Sequence, residues 1–435
     1  MDESQRDRRA EPSAYLTPVG SIDAPAMRGA GAELLSLALI DARNHTLHLL
    51  SQFEQALGSA ELRLPAALPD HLPPPRWLAG HLGWFAEAWI ARNTQRALGA
   101  ACPARPTRLA SLDPGADAAW DPQCCPPAQR NGPDVPGMAE ARAYLLETLE
   151  GTLELLERAD MSDAGLYFYR LALFHEDLRS EQLLVVAQTL GLSLGWEPPA
   201  PGAAREALGL PATRWTLGAG SSPGFHWAQE SGQLALAVPE FEIDAQPVSW
   251  QQYAEFVADG GYDREALWHP EGWAWRQAQA RRAPRHVAQI GTGRGPGGEG
   301  GGVLVQRFGR MVRAAGTQPA QHLSWWEADA WARWAGRRLP GEAEWEIAAV
   351  TAARRGFRWG EVREWVAQPL APWPGFTADP WSAGSEFDPV PAFGRARVLR
   401  GASFATRARA RSERARDFAL PGTDTGFTGF RTCAL

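Results

Sequence analysis

The sequence predicts an α+β protein in two parts, a four-helix bundle followed by a strand-containing, tryptophan-rich unit. Three observations carry that expectation. From about Gly29 to Leu190 apolar residues recur at three and four, the spacing of one helix face. From about Thr213 the texture changes to short apolar runs with many glycines and prolines and most of the 20 tryptophans. The length of 435 residues leaves room for two or three domains of roughly 100–200 residues each.

The elements follow in order. Helical periodicity is strongest near 31–57, 79–98, 138–159 and 163–191, separated by proline-rich joints such as LPDHLPPP and CCPPAQRNGPDVPG. Four long amphipathic segments of this kind pack as a bundle. Residues 1–28 read as a disordered, charged tail, 29–196 as the bundle, 197–212 (EPPAPGAAREALGLPA) as a linker and 213–435 as the second domain. Within the latter, Ser324 and Glu327 stand in capping-box register before WEADAWARWAG, with Gly336 as the stop. The run GTGRGPGGEGGG at 291–302 has G-x-G spacings but opens no helix, so it reads as a flexible loop rather than a phosphate cradle.

Composition removes several function classes. The net charge is −7 and the basic residues are dispersed, which argues against nucleic-acid binding. All 43 basic side chains are arginine, so lysine-dependent chemistry such as Schiff-base formation or a Walker-A phosphate loop is excluded. The four cysteines, Cys102, Cys124, Cys125 and Cys433, fit neither a disulfide framework nor a metal knuckle. Cys124 and Cys125 read as exposed loop thiols. The polar start MDESQRDRRAEPS lacks a signal peptide's apolar core, and no run reaches the roughly 18 apolar residues of a membrane span. A cytoplasmic protein without a membrane partner is expected.

Histidine is the commonest ligand of redox metals. His81 shares a helix face with Trp84, Phe85, Ala88 and Arg92, and His175 with Phe168, Leu171, Leu178, Arg179, Gln182 and Val186, so both point into the bundle. His45 and His48 read as a solvated face, and most tryptophan rings as core.

RWLAGHLGWFAEAWIARN and FHEDLRSEQL resemble the DinB-like bundle of the ergothioneine-type sulfoxide synthases and selenoneine synthases. FEIDAQPVSWQQYAEFVADGGY, HLSWWEADAWARWAGRRLPGEAEWEIAA, VLRGASFAT and GFRTCAL resemble the formylglycine-generating-enzyme-like, C-type-lectin-like domain fused to that bundle. RNTQRALGA, GGYDREALWHPEGWAW and WWEADAW lean towards the selenoneine branch. The resemblance implies a non-heme iron(II) enzyme that uses O2 to join selenium or sulfur, from a seleno-sugar or thiol donor, to the imidazole of hercynine. It implies His81 and His175 as iron ligands, and places Arg179 of the sequence His175, Arg179, Glu181 where the family's third histidine stands. A guanidinium has no lone pair to give. Trp381 and Asp417 fall in the implied hercynine pocket, with Arg179 beside them. Gly384 replaces an expected tyrosine, Arg363 a tryptophan and Asp417 an amide. The alternative is a metal-depleted, non-catalytic homologue that binds a small betaine or a protein partner, with Arg179 paired to Glu87 or Asp177. In either case the face bearing His81 and His175 is expected to line a cleft towards residues 360–420.

Overall fold

The computed structural model describes residues 21–62, 64, 68–220, 222–291 and 302–435. Most of the expected tail and nearly all of the 291–302 loop lie outside the described residues. Residues 21–28, assigned to the tail from sequence, are packed: Pro25–Gly29 forms a 3-10 turn that buries Met27. Arg28 pairs with Glu230 of the second unit at 2.7 Å.

The bundle is α1 (Ala32–Leu57), α2 (Pro75–Ala86), the short α3 (Ala116–Trp120), α4 (Met138–Glu157) and α5 (Asp163–Leu190). Helix α1 stops where Gly58 takes a left-handed φ of 61°, and α5 is opened by Ser162, whose hydroxyl accepts from the Gly165 N–H, and closed by Gly191. Helix α2 begins four residues earlier than periodicity suggests, because Pro75 sits at its first turn, where a missing N–H costs nothing. It runs on as one π turn over Glu87–Ala91, closed by Arg92 N–H to Glu87 C=O at 2.8 Å. The continuation to 98 expected from sequence is replaced by a 3-10 turn over Arg96–Ala101.

The second unit contains β1 (Leu208–Leu210), β2 (Thr213–Leu217), β3 (Leu234–Val238), β4 (Phe241–Ile243), α6 (Trp250–Ala258), α7 (Pro270–Ala278), β5 (Val287–Gln289), β6 (Val303–Arg307), β7 (Arg310–Ala314), α8 (Trp325–Trp334), α9 (Glu342–Thr351), β8 (Arg363–Pro369), β9 (Arg397–Arg400), β10 (Arg416–Ala419) and β11 (Thr428–Phe430). Part of the expected linker is strand, since Leu208–Leu210 pairs antiparallel with Phe241–Ile243. The largest sheet has the order β10-β9-β8-β11, with β8 and β11 parallel. The capping box at α8 forms as its spacing dictates, with Ser324 N–H donating to Glu327 at 2.8 Å.

The bundle core runs without a break into the second unit, taking in Phe225, Phe308, Trp381, Ala405 and Phe427. Buried polar pairs cross the same boundary. Arg409 donates to Asp177 at 2.7 and 2.8 Å, Arg363 to Glu181 at 2.7 Å and Tyr167 to Asp379 at 2.9 Å. Most tryptophans are core, as expected. Cys124 is exposed, but Cys125 is buried, because its loop tucks under Trp77 and Arg130, whose Nε donates to the Cys125 carbonyl.

Candidate functional site

Helix α2 carries His81 beside Gly80, where a Cβ would come within 2.0 Å of the Trp120 indole. The absence of a side chain at 80 lets α3 approach, and the Trp120 carbonyl accepts from His81 Nδ1 at 3.0 Å. That bond fixes the tautomer: Nδ1 carries the hydrogen and Nε2 presents a lone pair. His175 reaches the same point from α5, its ring stacked on Phe85 at 3.8 Å between centroids. The two imidazole centroids are 5.4 Å apart. Burial, with the Arg179 charge adding to it, lowers the His81 pKa to about 3 and that of His175 well below its ordinary value, so both rings are neutral.

The point on which they converge holds Arg179. Its Nε donates to His175 Nε2 at 3.2 Å and its Nη2 lies 3.3 Å from His81 Nε2. Nη1 donates to Gln182 at 2.7 Å and to Glu386 at 2.5 Å, and the guanidinium packs over the Phe387 ring at 4.5 Å. Arg179 is 1% exposed. Although desolvation pushes the Glu386 carboxyl up, the Arg179 charge and hydrogen bond prevail and bring it down to about 2. The lone pairs a metal would need are therefore already accepting N–H bonds. Among the described residues no group of three or more His, Cys, Asp or Glu side chains is arranged to hold a metal ion. This arrangement does not fit an iron centre.

Glu87 and Asp177, the carboxylates suggested from sequence as partners of Arg179, are occupied elsewhere. Glu87 accepts from Ser111, Tyr144 and the Leu112 N–H, and Asp177 from Arg409. Glu386 takes the role, from a segment that sequence reading flagged only for its missing tyrosine. Glu181 lies on the other side of α5, bonded to Arg363, Ser403 and Thr406.

Beside the Arg179 centre opens a cavity of about 140 Å³. His81, Trp84, Phe85, Trp89, His175 and Arg179 line it from the bundle, and Trp381, Gly384 and Phe387 from the second unit. The expected cleft towards 360–420 is thus present. Arg108, stacked over Trp89 at 4.9 Å, and Asp121 complete its rim. Trp381 and Arg179 line the cavity. Asp417 does not: it is absent from the lining and accepts from Arg363 Nη1 at 3.1 Å. Two of the departures read from sequence, Arg363 and Asp417, form a salt bridge. His45 is half-buried against Trp196 and His48 exposed, and neither reaches the cavity.

A helix bundle of the DinB superfamily, matched over residues 29–187, is joined here to a sulfatase-modifying factor enzyme 1-like domain, matched over 216–361. The chain is 30% identical over 429 residues to a hercynine oxygenase of Mycolicibacterium smegmatis, covering 86% of this chain and 92% of that one. It is 28% identical to a hercynine oxygenase of Mycolicibacterium thermoresistibile, covering 86% and 88%. A formylglycine-generating enzyme of Thermomonospora curvata matches at 30% over 159 residues, 34% of this chain and 49% of that one. The chain belongs to the hercynine oxygenase family, whose two-part architecture is that of the ergothioneine-type sulfoxide synthases.

Proposed function

We propose that the protein binds a hercynine-like imidazole betaine in the cleft between its two units, as a metal-depleted member of its family. The observation that carries this reading is the cavity lining. Five aromatic rings, Trp84, Phe85, Trp89, Trp381 and Phe387, surround the space, with Arg108 at the rim. A trimethylammonium group is attracted to such ring faces and gains little from a hydrogen-bonding site, while Arg108 suits the carboxylate of the same molecule. The neutral imidazoles of His81 and His175 are held by Arg179, so ligand binding at this cleft requires no metal.

Calorimetry tests it. Hercynine should bind about tenfold more tightly than histidine, about 1.4 kcal/mol, because the α-ammonium of histidine must give up hydrogen bonds to water to reach the same rings and a trimethylammonium does not, and Trp381→Leu should remove most of that preference. No heat with hercynine at millimolar concentration overturns the proposal.

One observation favours a second reading, an iron(II)- and O2-dependent enzyme forming a C–Se or C–S bond on hercynine. His81 and His175 present Nε2 to one point from two helices. That reading requires Arg179 to leave the imidazoles. Turnover of hercynine with a seleno-sugar or thiol donor in air, lost in His81→Ala, establishes it. Absence of product with metal supplied excludes it.

A further inference from the structure

We propose that Arg179 and Glu386 together replace the metal of this site, and that Glu386 is a concealed third ligand that becomes available when the guanidinium is removed. A divalent ion at the head of Arg179 would be a cation bound by two imidazole lone pairs and balanced by anionic donors. The guanidinium reproduces that charge pattern with the opposite bond polarity, donating N–H where a metal would accept. It meets His175 Nε2 at 3.2 Å, His81 Nε2 at 3.3 Å and Glu386 at 2.5 Å. Besides the Gln182 amide oxygen at 2.7 Å, the groups that face it are two neutral imidazoles and one carboxylate, the donor set of the facial triad that holds non-heme iron(II).

Two features show that these donors are held in place rather than gathered by chance. His81 keeps its Nδ1–H on the Trp120 carbonyl, the outer bond that orients a metal-binding imidazole. Glu386 comes from the second unit, 207 residues along the chain from Arg179, so its arrival at the buried charge is a product of domain docking. The guanidinium keeps the three donors spread around its own planar head, and for this reason no metal-binding group of three is formed among the described residues. Truncating residue 179 removes the spacer and leaves the triad facing a space a cation can fill. The inference does not depend on which ligand enters the neighbouring cavity.

The test is a titration of the purified full-length protein with Co(II), read by visible absorption and by metal retained after gel filtration. Wild type should retain none at the site, Arg179→Ser should retain one equivalent, and Arg179→Ser with Glu386→Gln should lose it. Arg179→His, which supplies an imidazole in place of the guanidinium, should also take up one equivalent and serves if the serine variant does not fold. One equivalent bound by wild type and lost in His81→Ala overturns the replacement. A folded Arg179→Ser protein that binds no cobalt, or binds it equally after Glu386→Gln, overturns the role of Glu386.

Discussion

Asp379 shows at the scale of one residue how the junction between the units sets the chemistry of the chain. It is 8% exposed, accepts from the Tyr167 hydroxyl at 2.9 Å and the Ala228 N–H at 2.8 Å, and has no cationic partner among the described residues. Burial raises its pKa from 3.8 to about 7 despite those two bonds. Between these values the folded state holds a proton that the unfolded state has lost. Stability therefore falls as pH rises through this window, by about 1.4 kcal/mol per pH unit at most, and levels off above about 7. Asp379→Asn removes the titration, so the stability of wild type relative to the variant should fall over that interval in urea unfolding at a series of pH values. Parallel pH profiles for the two proteins would show that Asp379 is ionised throughout. In sequence this aspartate opens the run DPWSAGSEF, but its protonation depends on burial beside Tyr167 and Ala228, which no local pattern connects to it.

Among the elements, α2 is the one on which the site depends most closely. Gly80 admits the Trp120 ring, the Trp120 carbonyl orients His81, and Tyr144 stacks on Trp120 at 4.8 Å to hold it from the far side. Gly80→Ala places a methyl carbon inside that contact, and overpacking of this kind costs about 1–3 kcal/mol. The variant should melt lower than wild type, and hercynine affinity should fall with it, since His81 turns with the carbonyl that holds it. A melting temperature equal to that of wild type would mean the indole moves aside freely. Helices α1, α4 and α5 were legible because their apolar stripes are long, and α1 and α5 also stop at glycines. The start of α2 was not, since three consecutive prolines at 73–75 read as a breaker and the third of them opens the helix. Arg363 and Asp417 were legible as departures but not as partners, because β8 and β10 are brought together only through β9.

At the scale of the whole molecule the two units behave as one body, joined by a continuous core and by buried charge. Arg409 is fully buried, donates to Asp177 and Asp41, and belongs to the second unit while both carboxylates belong to α1 and α5. Removing one partner of a buried pair costs about 3–5 kcal/mol when the other charge is left alone; here Arg407 stays 3.9 Å from Asp177 and bonded to Asp41, so the lower end applies. Arg409→Ala should lose that much in denaturant unfolding. In wild type, helical circular dichroism, dominated by the bundle, and tryptophan fluorescence, dominated by the second unit, should change in a single coincident transition; two separated transitions would show that the halves fold independently. The pairing of Arg179 with Glu386 also has a consequence in time. A ribosome adding roughly 5–20 residues per second needs roughly 10–40 seconds to pass from one to the other, over the 207 residues that separate them. Throughout that interval the nascent bundle carries a guanidinium without its carboxylate and an aromatic face without Trp381 and Phe387. Early in synthesis the protein is thus open to solvent, and to chaperones, at a place where Arg179 is almost wholly buried once the chain is finished.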